Sequence, residues 1–282
     1  MNAPTPRRRP FPYGRVGSYA VLAAAGVLIL FPLYWMVVTS LKLPRDIFRT
    51  PTLWPHAFTT NNYRTLLGNT GFLVSVRNSF VVAATVTVIS IVISSLAAYS
   101  IARFRTRFRG LIGRLILFAY LTPTSLLFIP LSILMARLQL GNSLQGLVLV
   151  YLTFSLPLST WLLQSYFRGV PRELEEQGQI DGLTRLGALL RIVLPLSLPG
   201  LAAVSIFTFT GAWNELLLAM VLITSDSQRT APLALNYLIT SDVLPWGPLM
   251  AGAVLSSVPL IILYFVAQRF MVQGMTAGAV KG

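Results

Sequence analysis

Six apolar runs, each long enough to cross a lipid bilayer, set what this chain can fold into. They fall at about residues 17–41, 78–101, 111–134, 144–167, 198–224 and 248–270. Hydrocarbon offers no water to a free N–H or C=O, so a run of about 20 apolar residues crosses it as a helix. The sequence therefore predicts an all-α polytopic membrane protein with six transmembrane helices in one domain, 17–270. A polar segment, 1–16, precedes it and a tail, 271–282, follows. Charged residues make up only 11% of the chain, against roughly 25% in soluble domains. Arg7, Arg8 and Arg9 stand before the first run as in a signal peptide. That run, however, exceeds the about 7–15 residues of a signal core and no small-x-small cleavage site follows, so it reads as a retained span.

The charge that remains sits in the gaps between runs. Net charge is +14, but a nucleic-acid binder gathers its basic residues on a soluble face. Here Lys and Arg report orientation instead. Fifteen lie in the N-terminal segment, around 103–114, in 168–191 and near the C-terminus, against seven in the alternate gaps. Both termini and the gap at 168–197 are therefore expected in the cytoplasm. There is no cysteine, and the one histidine, His56, lies in a polar loop; neither thiol chemistry nor a metal site is expected.

Four of the eight acidic residues crowd into Pro171–Gly182. Pro171 suits the first position of a helix, Glu173, Glu175 and Glu176 favour the positive end of its dipole, and Gly182 suits a left-handed terminator. From Leu183 a second apolar-spaced segment runs until Pro195 interrupts it. Two short helices joined at Gly182 follow, with Gly178 permitting close approach to a neighbour. By the residues alone this is either a docking helix for a partner or a solvated amphipathic turn.

The spacing carries a resemblance. Glu176-x-Gly178, three residues, Gly182, nine residues, then Ile192-x-Leu194-Pro195 resembles the EAA-loop signature of permease subunits of binding-protein-dependent ABC importers. The motifs around it look like the maltose-type carbohydrate branch: Glu173-Leu174-Glu175-Glu176, Ile180-Asp181-Gly182, Trp213-Asn214-Glu215 and the ending Gly274 to Gly282. The resemblance implies a type I ABC importer permease fold with a cytoplasmic coupling helix in the loop 168–197. Glu175, Glu176, Gln177, Gly178, Asp181, Gly182, Arg185 and Pro195 would then serve coupling to a separate ATPase. It further implies a multi-pass protein of a prokaryotic inner membrane, a second six-span permease, two ATPase subunits and an extracytoplasmic sugar-binding protein. ATP and Mg2+ would bind the ATPase and no cofactor this chain. Gly274, Thr276 and Gly278 of the tail would reach towards the ATPase. The family usually has Ala-Ala where this chain has Gln177-Gly178. Independently, the only lysines, Lys42 and Lys281, stand outside any Gly-x-x-x-x-Gly-Lys-Ser/Thr loop, so nothing here cradles a nucleotide.

Glu215 is the one acidic residue well inside a run, and an intramembrane carboxylate is a functional candidate by default. It either lines the pathway, with Trp213 and Asn214, or braces the bundle near its rim. Pro123 and Pro130 break the third run beside Thr122 and Ser125, which is sustainable only against protein or a water-filled cavity; Thr122 and Ser125 join the pathway candidates. No Lys or Arg lies mid-run, which suits a neutral mono- or oligosaccharide over an anion. An ion-coupled secondary transporter is the alternative, but it needs a titratable relay where only Glu215 is offered. Neither Gly-x-Ser-x-Gly nor His-Glu-x-x-His occurs, so no catalytic role is expected.

Overall fold

The computed structural model describes residues 13–48, 52–104, 109–239 and 244–279. Side chains of 13–16, 69, 109 and 271–279 lie outside the described set. The first run forms α1 (Tyr13–Ser40), with Pro32 inside it. The polar gap that follows folds into a strap carrying α2 (Pro44–Ile47) and α3 (Asn61–Asn69). α4 (Phe72–Arg103) starts six residues before the expected 78, because Gly71 turns the chain at φ 63° and the polar residues Arg77 and Asn78 are helical too.

The third run is two helices, α5 (Arg109–Leu121) and α6 (Phe128–Arg137), and its halves 110–121 and 124–137 are bent by 88°. Pro123 lacks the N–H that would continue α5, and a 3-10 turn, Thr124–Leu127, re-aims the chain. Pro130 causes no break, since it occupies the first turn of α6, where its N–H has no helical acceptor. α7 (Leu144–Gly169) is capped by Ser143, whose Oγ accepts from Gly146 N at 3.1 Å.

α8 (Arg172–Ile180) and α9 (Arg185–Ala188) make the acidic loop, continued by a π-helical turn, Leu189–Val193, and by α10 (Leu194–Leu196). The fifth run is shorter than the expected 198–224. α11 (Leu198–Asn214) ends at an extended Glu215, and α12 (Leu217–Leu222) begins after it. α13 (Ala231–Ile239) and α14 (Trp246–Ala279) complete the chain. Among the described residues four helices are long and apolar enough to cross a membrane, and up to six spans result if each of two bent pairs, 110–121 with 124–137 and 185–196 with 198–214, counts once.

α4 is the spine, packed on α7 and α11. Its buried face repeats small and hydroxyl residues, Ser79, Ala83, Ser90, Ser94 and Ala98, which let helices approach closely in lipid. Hydroxyls cross the seam: Ser90 Oγ meets Ser155 Oγ at 2.8 Å and Ser159 Oγ meets Thr208 Oγ1 at 3.1 Å. By contrast α1 leaves Val21, Leu22, Leu28 and Ile29 exposed. Such an apolar surface needs lipid or another subunit against it.

Candidate functional site

The acidic loop is fixed to the bundle by four links to the C-terminal end of α4. Glu175, 4% exposed, turns inward. Its Oε1 lies 2.5 Å from Arg103 Nε as an ion contact, and its Oε2 accepts from the Tyr99 hydroxyl at 2.8 Å. Arg103 also donates to Val170 O at 2.8 Å, and Arg172 donates to Ala102 O at 3.3 Å. Beneath, Leu189 and Val193 pack with Ala98, Ala102, Leu163 and Phe167. α8 is thereby tied to α4, and the π-helical turn that follows packs against α4 and α7.

Local sequence explains the shape. Val170 is extended, as the residue before a proline prefers. Pro171 stands at the cap with ψ 135°, one residue earlier than expected. At the other end Gly182 N bonds Gln179 O at 3.1 Å and Leu183 N bonds Gly178 O at 2.9 Å, with Gly182 at φ 93°. This is a Schellman stop, which needs a residue tolerant of positive φ. Thr184 then caps α9, its Oγ1 accepting from Gly187 N at 3.1 Å.

The eight loop residues singled out by sequence divide between two faces. Glu175 and Gly178 are buried, whereas Glu176, Gln177, Asp181, Gly182, Arg185 and Pro195 are exposed. A Cβ on Gly178 would stand 2.6 Å from Ile192 Cδ1 and 3.1 Å from Leu183 Cδ1. Its close approach is thus to its own chain, and Ile192 fills the space that an alanine methyl would take. Arg185 lies over the Phe104 ring at 5.0 Å. Ile180, 85% exposed between Glu176 and Asp181, and the exposed Leu186 and Leu190 were not among the coupling residues expected from the sequence. A polar cavity of about 220 Å³ lies beside the Glu175–Arg103 clamp, lined by Tyr99, Arg103, Glu175, Glu176, Gln179 and Arg185.

Along the bundle, Glu215 makes the break in the fifth run. Its Oε1 accepts from Leu218 N at 2.9 Å, while its Oε2 accepts from Ala219 N at 3.2 Å and from the Tyr151 hydroxyl at 2.9 Å. The carboxylate thereby caps the restart of the helix at α12, so bracing and lining are combined in one side chain. It also lines a cavity of about 220 Å³ between α5, α7 and α11. Tyr120, Tyr151, Phe154 and Phe207 supply its aromatic walls, and Thr124, Ser155 and Thr208 its hydroxyls. No Lys or Arg is among its lining residues. Tyr120 and Phe207 are largely exposed, so the cavity is open on that side.

The pathway residues expected from sequence fare unevenly. Trp213, 1% exposed, stacks on Phe209 with centroids 5.7 Å apart, in the core rather than on the cavity. Asn214 is exposed outside it, and Thr122 bonds back to Phe118 O at 3.2 Å. Ser125 is likewise absent from the lining, which Thr124 enters instead. Aromatic residues in apolar runs carry no sequence mark that separates lining from core, so Tyr120, Phe154 and Phe207 went unread. Residues 1–12, Arg105, Arg107 and Lys281 lie outside the described residues. Gly274, Thr276 and Gly278 continue α14, but their side chains lie outside the described set. Among the described residues no cluster of metal-ligating side chains occurs.

Residues 90–277 match the family described as binding-protein-dependent transport system inner membrane component. The chain is 39% identical over 263 residues to the sulfoquinovosyl glycerol transport system permease protein of Agrobacterium fabrum, covering 92% of each. It is 36% identical over 267 residues to the trehalose/maltose transport system permease protein of Thermococcus litoralis, covering 93% of this chain and 95% of that one. In fold it resembles a chain from a crystal structure of a bacterial ABC transporter that imports the acidic polysaccharide alginate. The TM-score is 0.77 at 22% identity, over 95% of this chain and 99% of that one.

Proposed function

The chain belongs to the family of inner-membrane components of binding-protein-dependent transport systems, and from that premise we propose that it is one permease subunit of an ATP-driven importer of a neutral carbohydrate. The observation that carries the mechanism is the two-sided α8. Glu175 clamps its inner face to Tyr99 and Arg103, while Glu176, Gln177 and Ile180 stand outward and unburied. A separate ATPase seats against that outer face, with Ile180 as an apolar knob and Glu176 facing a basic residue. Nucleotide closure moves α8, and the clamp converts this into a tilt of α4 and α7. ATP and Mg2+ belong to the ATPase, since this chain has no phosphate loop.

The cavity between α5, α7 and α11 is the transport route's wall on this subunit. Sugar hydroxyls need many small polar partners, and the apolar faces of sugars stack on rings; Thr124, Ser155, Thr208 and the four aromatics offer both. The absence of a cationic lining supports a neutral cargo. Its open side, at Tyr120 and Phe207, is where a second permease subunit would complete the route. An extracytoplasmic binding protein delivers the sugar to the end remote from α8, and both termini and α8 lie in the cytoplasm. The α14 tail, with Gly274, Thr276 and Gly278, continues towards the ATPase. Ion coupling is set aside by the family and by Glu215, whose carboxylate is committed to two N–H groups and a phenol.

The test is reconstitution in proteoliposomes with the partner permease, the ATPase and the binding protein. Disaccharide uptake should require ATP and all four components. Uptake driven by a proton gradient without ATP would contradict the assignment.

A further inference from the structure

A second cavity, of about 240 Å³, shares no residue with the proposed sugar route. It lies where the strap after α1 meets the start of α14, at the end of the bundle remote from α8. Its wall includes Trp35 and Thr39 of α1, Lys42, Asp46 of α2, and Trp246 and Met250 of α14. Asn62 of α3 ties the end of α1 to the strap there. Asn62 Nδ2 donates to Ser40 O at 2.8 Å and to Lys42 O at 2.9 Å. The Asn62 side chain also lies on Gly247, where a Cβ would stand 2.3 Å from its Oδ1.

Lys42 is the unusual group. It is 2% exposed, yet no carboxylate lies within ion-pair distance of it among the described residues. Its Nζ donates to Thr52 O and sits 4.5 Å from the centre of the Trp35 ring. An ammonium has three N–H donors, and among the described residues Thr52 O is the one hydrogen-bond acceptor on it. Burial pushes its pKa below the usual lysine value, opposed by the Asp46 charge. Thr39 Oγ1, also on the cavity wall, is buried with no partner. Among the described residues Arg45 is the one cation within ion-pair distance of Asp46, at 3.9 Å. A buried cation, an under-paired carboxylate and an orphan hydroxyl around one space call for a ligand carrying both charges.

We propose that this cavity holds the headgroup of a zwitterionic phospholipid, its phosphate on Lys42 and Thr39 and its amine on Asp46. Indoles near helix ends mark the depth of headgroups in a bilayer; Trp246 opens α14 and Trp35 lies within the last two turns of α1. The exposed Phe48 and the apolar outer face of α1 lie beside it for the acyl chains. Asp46 is the feature that disfavours a purely anionic headgroup.

The test is native mass spectrometry of the full chain in detergent, given equal phosphatidylethanolamine and phosphatidylglycerol, with free phosphoethanolamine as a separate arm. One phosphatidylethanolamine should be retained in preference. Asp46→Asn should shift the ratio towards phosphatidylglycerol by roughly tenfold, the order of one charge-assisted hydrogen bond. Lys42→Met should abolish retention. An unchanged ratio in Asp46→Asn, no lipid retained by the wild type, or displacement of lipid by a disaccharide would each overturn the proposal. Binding of free phosphoethanolamine without lipid retention would overturn the lipid as its source. Asp46→Asn changes a side chain that is not in the core, so it reads the site even if Lys42→Met fails to fold.

Discussion

Removing one carboxylate should loosen α8 from the bundle without touching its outer face. In Glu175→Ala, Arg103 keeps Val170 O as an acceptor but loses its counter-charge at a site only 10% exposed, and the Tyr99 hydroxyl loses its acceptor. Breaking a buried pair from one side costs about 3–5 kcal/mol, because the surviving charge stays buried and uncompensated. At about 1.4 kcal/mol per tenfold, the docked loop would open some two to three and a half decades more often. Hydrogen exchange resolves this: amides of 173–180 should exchange at least about a hundredfold faster, with those of mid-α4 unchanged. In the assembled transporter ATP hydrolysis should persist while uptake falls. The pair Arg103→Met with Glu175→Leu keeps the volume and removes both charges, so its stability should recover most of the loss. Exchange of 173–180 within threefold of wild type, or a double variant as damaged as the sum of the singles, would refute the clamp.

Glu176→Lys should leave insertion and stability intact, since its side chain is exposed, yet uncouple hydrolysis from uptake; stimulated ATPase activity alongside lost uptake checks this. Gly200→Ala should destabilise by about 1–3 kcal/mol, because its Cβ would stand 2.4–2.8 Å from the Tyr166 ring, and thermal unfolding in detergent measures it. Glu215→Ala strands two N–H groups and a phenol, at about 1–3 kcal/mol for each buried orphan. Glu215→Gln, which keeps one carbonyl acceptor, should retain more stability in the same unfolding assay.

What the sequence revealed and what it hid divide along physical lines. Apolar runs announced the helices because lipid enforces length and apolarity together. Their ends were less visible: hydropathy falls off before the helix does, so residues 72–77, with the charged Arg77, read as loop although α4 begins at Phe72. The break at Glu215 left only one trace, a carboxylate three residues before Leu218, which reads as an intramembrane charge until the backbone shows it capping a helix. In the acidic loop the Schellman stop at Gly182 was legible because it is local. The division between Glu175 and Glu176 was not. Neighbours on a helix differ by about 100° in direction, and only Tyr99 and Arg103, distant in sequence, decide which one turns inward. Gln177-Gly178 looked like a departure from pattern, and the structure supplies a reason for the glycine in the Ile192 methyl that occupies its space.

The chain has no cysteine of its own, so single cysteines can report the orientation of α8 against a partner. The account predicts that Ile180→Cys, in the transporter assembled with its ATPase, is cross-linked to the ATPase by a short thiol-reactive linker, and that nucleotide alters the yield. Gly178→Cys, on the buried face of the same helix, should not be cross-linked. Efficient cross-linking from position 178 with none from 180, or none from either in an ATP-hydrolysing complex, would contradict the claim that this helix receives the force of the ATPase.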